Sequence, residues 1–191
     1  MRKIVFDIET RNIFSEVGSA DPARLDISVV GVYDSETDQY TTYLQEELSQ
    51  LWPIIERADM LIGFYSDNFD IPLLDKYYPG DLTKIKSLDI LKEIRKQYGR
   101  GMKLDQLAEG TLKTNKSGDG FDAIKWWKAG DIEKLREYCI KDVKITKEIY
   151  DFATTNQKLI FKEGRELKEI KLDTSDWEKP VENKLTFSLP F

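Results

Sequence analysis

The stretch KIVFDIET, residues 3–10, decides how the chain reads. Ile4, Val5, Phe6 and Ile8 form a run suited to a buried β-strand, and Asp7 and Glu9 interrupt it two residues apart. Side chains alternate along a strand, so both carboxylates point to one face. Burying ionised carboxylates costs several kcal/mol each unless a positive charge compensates, and Mg²⁺ or Mn²⁺, which take oxygen ligands, would do so. The same residues also fit a strand that ends at Asp7 and leaves both acids in water. For this pair alone, that simpler reading ranks first.

Working outward, residues 26–33 and 40–44 read as two more strands and residues 60–64 as a short buried one. Residues 46–57 carry apolar side chains at helical spacing, with Pro53 suggesting a start near that point. Residues 68–77 read as a helix or turn, and residues 87–98 and 104–112 as helices. Residues 113–120 read as a loop. Residues 131–152 form a long amphipathic helix with Ile132, Leu135, Cys139, Val143 and Ile149 inward. From Arg165 the sequence is polar and reads as irregular. The expected architecture is α/β, a mixed β-sheet flanked by α-helices, with a domain over residues 1–164 and a tail over 165–191.

Composition narrows the chemistry. The 191 residues contain no histidine and one cysteine, which excludes a Ser-His-Asp or Cys-His triad, a His or Cys zinc site and an intrachain disulfide. Any metal must sit on oxygen. The lone thiol, the absence of a membrane-length apolar run and a start unlike a signal peptide suggest a cytoplasmic protein without a membrane segment. The net charge of −6 gives no general attraction to nucleic acid. Between Lys92 and Lys128, however, nine basic residues face five acidic ones. Such a cluster can equally be a set of solvated helix faces.

Two further elements carry chemistry. In NFDIP, residues 68–72, Asp70 falls at a strand-to-helix junction, where an N-cap is the ordinary role. In YCIKD, residues 138–142, Tyr138 and Asp142 stand four apart on one face of the long helix. Trp126 and Trp127 are adjacent on a helix. One is free to stack on a base, although packing of both in the core is the more ordinary outcome.

Together FDIET, NFDIP and YCIKD resemble, in order and separation, the three motifs of the DnaQ-like 3'-5' exonucleases of the ribonuclease H-like fold, in the variant with tyrosine in the third motif (DEDDy). The resemblance runs from Lys3 to about Phe152. It extends to free-standing predicted exonucleases and, more distantly, to the proofreading domain of B-family DNA polymerases. Tyr65 departs from it, standing where the polymerase relatives usually carry Asn.

The resemblance implies a ribonuclease H-like fold and a catalytic set of Asp7, Glu9, Asp70, Tyr138 and Asp142, with the four acids holding two divalent ions, Mg²⁺ or Mn²⁺. It implies that Tyr138 aims the attacking water, because a phenol with a pKa of about 10 is a poor base at neutral pH. The product would be a nucleoside 5'-monophosphate from a 3' end, single-stranded DNA more than RNA. A ribonuclease D-like trimming activity and an inactive nucleic-acid-binding or sliding-clamp adaptor are the alternatives. Asn68, Phe69, Lys113 and Lys116 are the candidate nucleic-acid contacts. The ending TFSLPF resembles a sliding-clamp-binding peptide, with Phe187, Leu189 and Phe191 as anchors, although a terminal edge strand explains it slightly better.

Overall fold

The computed structural model describes residues 1–114 and 120–179. The chain runs β1 (Lys3–Thr10), α1 (Phe14–Val17), β2 (Ile27–Asp34), β3 (Gln39–Leu44), α2 (Leu48–Ile55), β4 (Met60–Gly63), α3 (Asp70–Asp75), β5 (Ser87–Asp89), α4 (Ile90–Tyr98) and α5 (Leu104–Leu107). It continues through a π-helical turn (Ala108–Leu112) to α6 (Gly120–Ala129), α7 (Ile132–Asn156), β6 (Lys158–Glu163) and β7 (Glu166–Lys171).

Five strands form a mixed sheet in the order β3-β2-β1-β4-β5, with β1 at its centre. β1 pairs antiparallel with β2 and parallel with β4, as a hairpin entry followed by a helical crossover demands. The alternation of β1 splits the core into two layers. Ile4, Phe6 and Ile8 face α2 and α3, where they pack with Leu51, Leu73 and Leu74. Val5 faces the opposite side, where α7 supplies Val143, Ile145 and Ile149. Asp7 and Glu9 share the parity of Val5 and therefore lie on the α7 side of the sheet. The architecture is α/β, a mixed sheet flanked by helices.

Four details differ from the sequence reading. Pro53 lies inside α2 and does not open it. The carbonyl that its missing N–H strands belongs to Ser49, an exposed residue. Residues 87–98 are not one helix: Ser87–Asp89 pairs with β4 as a short parallel strand, and Asp89 then caps α4 by accepting the Lys92 N–H at 3.2 Å. Residues 104–112 hold one α-turn and then the π-turn, because Gly110 lies so close to β6 that a Cβ there would be 2.4 Å from the Ile160 carbonyl oxygen.

The segment after Arg165 is not irregular throughout. Residues 166–171 pair with 158–163 in a hairpin that turns at Gly164, which has φ of +62°. Residues 164–165, where the sequence reading ended the domain, thus lie within this turn. Ile170, Leu172 and Trp177 are buried in the core on the α7 side.

Candidate active site

The site begins with a glycine. Asp7 pairs across the sheet with Gly31 of β2, and a Cβ on Gly31 would stand 2.8 Å from Cys139 Sγ and 3.0 Å from Val143 Cγ2. The missing side chain lets α7 settle directly onto the sheet at the level of Asp7. The Cys139 thiol donates weakly to the Asp7 carbonyl at 3.5 Å. One turn along from Tyr138, Asp142 then meets the strand. An oxygen from each of Asp7, Glu9 and Asp142 lies within 4.8 Å of the others, with Glu9 and Asp142 buried.

At that spacing each pair of ionised carboxylates repels by about 3 to 4 kcal/mol at an effective dielectric constant near 20. The donor set fits a hard divalent cation: it is all oxygen and convergent, with two of its three carboxylates buried. Among the described residues these three form a cluster that could hold one.

Asp70 reaches the same place by another route. β4 pairs with β1 only as far as Val5, so the strand edge beyond is open, and the chain turns at residues 64–69 to start α3 beside Ile8. Asp70 is the first residue of that helix, not its N-cap, which is Phe69. Only 4% of it is exposed. Burial pushes its carboxyl up to about 7, opposed by hydrogen bonds from its own N–H and that of Ile8 and reinforced by the charge of Asp89. Asp70 lines the cleft without joining the tight three-residue cluster.

Tyr138 is 3% exposed, and burial, then the charges of Asp142, Glu9 and Asp7, push its phenol far above the ordinary range. It stays protonated and can only donate or be polarised. Trp126 packs edge-on against its ring at 5.4 Å. Trp127 lies half-buried under the Arg11 guanidinium, 4.3 Å from the ring centroid. Both tryptophans therefore pack in the cluster beneath α6, neither spread out as a stacking surface. Burial also pushes the Cys139 thiol well up, which leaves it inert.

All five motif residues line one cleft of about 790 Å³. Phe69 lines it too, in edge contact with Phe14 at 6.1 Å. Asn68 and Lys113 are exposed but are not among its lining residues. Lys116 and the three tail residues Phe187, Leu189 and Phe191 lie outside the described residues. Much of the basic excess between residues 92 and 128 is already spent: Lys92, Arg100, Lys125 and Lys128 pair with Asp67, Glu163, Asp122 and Glu16. Lys103, which sequence reasoning did not single out, lines the cleft and has no ion pair among the described residues. No helix among the described residues is long and apolar enough to cross a membrane.

A convergent all-carboxylate cluster that could hold a metal ion, at the end of a central strand and closed by a long helix, belongs to an α/β fold of the nuclease type. Residues 4–154 match the RNase_H superfamily, and the chain belongs to that family. Among solved structures, the family B DNA polymerase from the hyperthermophilic archaeon Pyrobaculum calidifontis is similar with a TM-score of 0.62 and 18% sequence identity. The match covers 81% of this chain and 24% of the polymerase chain, so this protein corresponds to about a quarter of it. A search of curated proteins finds no match.

Proposed function

We propose that the protein is a 3'-5' exonuclease of the DEDDy type that removes nucleoside 5'-monophosphates from the 3' ends of DNA. The observation that carries this reading is the convergence of Asp7, Glu9 and Asp142 within 4.8 Å in a cleft that also holds Asp70 and Tyr138. Membership of the RNase_H superfamily supports hydrolysis of nucleic acid, and the likeness to a segment of a DNA polymerase favours DNA as substrate.

Asp7, Glu9 and Asp142 would hold the divalent ions, with Asp70 joining directly or through water. Ions held there would supply positive charge against the charge that develops at the phosphate in the transition state. Tyr138, kept protonated at its hydroxyl, donates a hydrogen bond that orients the attacking water or the scissile phosphate, and it takes no proton itself. Glu9 and Asp142, buried against the sheet, keep their rotamers fixed as substrate arrives. Phe69 offers an apolar edge to the terminal nucleotide.

The test is release of 3'-labelled nucleotide from a DNA oligonucleotide in Mg²⁺ or Mn²⁺. Wild-type protein active and Asp7→Ala silent is the expected pair of results. Equal rates for the two, or label released only as internal fragments, would end the reading.

A further inference from the structure

The cleft has an aromatic margin that the acidic cluster leaves unused. Six large apolar side chains are exposed among the described residues, and three of them, Phe14, Tyr65 and Phe121, line this cleft. Tyr65 stands apart in how it is held. The residue is 40% exposed, yet its backbone has φ of +67°, a left-handed conformation that disfavours any bulky residue with a Cβ.

The surrounding turn is built to impose that conformation. Asp89, 2% exposed, accepts the N–H of Tyr65 at 2.9 Å and that of Asp67 at 3.3 Å while it caps α4. Ser66 folds so tightly under the strand that a Cβ on Gly63 would lie 2.5 Å from the Ser66 Cβ. A buried carboxylate and a tight turn thus hold up a side chain that gains little from burial. Core packing does not account for a tyrosine here, and strain of this kind collects where a side chain is needed for function.

The neighbours indicate which function. The Arg95 guanidinium stands over the Tyr65 ring, 5.2 Å from its centroid, and has no ion pair among the described residues. Gly101 makes room for it, since a Cβ there would lie 2.8 Å from Arg95 Nε. Lys103 lines the same cleft. Tyr65 and Lys103 thus border the acidic cleft, Arg95 stands over the Tyr65 ring, and neither cation has an ion pair among the described residues. Aromatic faces take nucleobases, and Arg and Lys take phosphates.

We propose that Tyr65 is a base-stacking residue: its ring packs on an unpaired nucleobase in the cleft, and Arg95 and Lys103 hold the flanking phosphates. The inference rests on the nuclease reading above and adds what the site grips, an unstacked base of a single strand.

The experiment is steady-state degradation of two single-stranded oligonucleotides, one ordinary and one abasic over its last three positions, by wild type, Tyr65→Phe and Tyr65→Asn. On the ordinary strand Tyr65→Asn should raise KM about tenfold with kcat little changed, and Tyr65→Phe, which keeps the ring, should stay within about twofold of wild type. On the abasic strand the three proteins should be alike. Asn tolerates the left-handed backbone, so Tyr65→Asn should melt at or above the wild-type temperature. An unchanged KM for Tyr65→Asn, an equal loss on the abasic strand, or a lowered melting temperature would overturn the proposal. A wild type that degrades neither strand would overturn the nuclease reading instead.

Discussion

Replacing Gly31 with alanine should damage stability and activity together, because α7 packs so closely on the sheet there that no side chain fits. The new methyl carbon would lie 2.8 Å from Cys139 Sγ, 3.0 Å from Val143 Cγ2 and 3.4 Å from the Cys139 carbonyl oxygen. Relaxed contacts between such atoms are about 3.5 to 4.0 Å, so helix and sheet must part by roughly 0.7 to 1 Å. Overpacking of this size costs about 2 kcal/mol in a packed core. The same movement lifts Tyr138 and Asp142 away from Asp7 and Glu9, and a displacement of about 1 Å in a catalytic group lowers rate on the order of 100-fold. Urea denaturation measures the first effect and 3'-nucleotide release the second. Cys139→Ala removes the closest obstacle, so Gly31→Ala with Cys139→Ala should be more stable and more active than the two single effects added together. A Gly31→Ala protein with wild-type stability and rate, or strictly additive effects in the double variant, would refute the close-approach argument.

Asp70 carries a pH dependence of definite sign. Its folded carboxyl titrates near 7 and its unfolded one in the ordinary range near 3.8, so its contribution is fully present below the unfolded value and is lost as pH rises through the folded one. In EDTA, wild type should therefore lose about 3 kcal/mol from this group between pH 5 and pH 8, and Asp70→Asn should flatten that slope and exceed wild-type stability at pH 8. Parallel pH curves for the two proteins by urea denaturation would contradict it. For Tyr138→Phe, loss of a single oriented donor should lower kcat by about 10- to 100-fold, less than Asp142→Ala, which removes a cluster member. Single-turnover rates that fall in the reverse order would remove the aiming role from Tyr138.

Much of this site was legible because its signals are local. The two-residue period of KIVFDIET puts Asp7 and Glu9 on one face, and the four-residue step of YCIKD puts Tyr138 and Asp142 on another. What joins the faces is not local: Gly31 reads as one more residue in a Val-rich strand, and only the packed helix shows why a side chain there is excluded. Pairing across the fold is equally non-local in the basic segment. Three of its basic residues pair with acids far away in sequence, Lys92 with Asp67, Arg100 with Glu163 and Lys128 with Glu16, whereas Arg95 and Lys103 have no ion pair among the described residues. The hairpin after residue 157 was missed because Glu166–Lys171, ELKEIK, buries only Ile170 and exposes charge elsewhere, so it lacks the apolar weight of a core strand. The left-handed turn at Tyr65 had no sequence signal, since such turns ordinarily announce themselves through Gly or Asn.

The central claim is that Asp7, Glu9 and Asp142 form one cation site, and diffraction from crystals soaked in Mn²⁺ tests it most directly. The account predicts an anomalous peak touching a carboxylate oxygen from each of the three residues, abolished in Asp142→Asn. Crystals that diffract well but show no peak among these oxygens, or a peak that persists unchanged in Asp142→Asn, would contradict it.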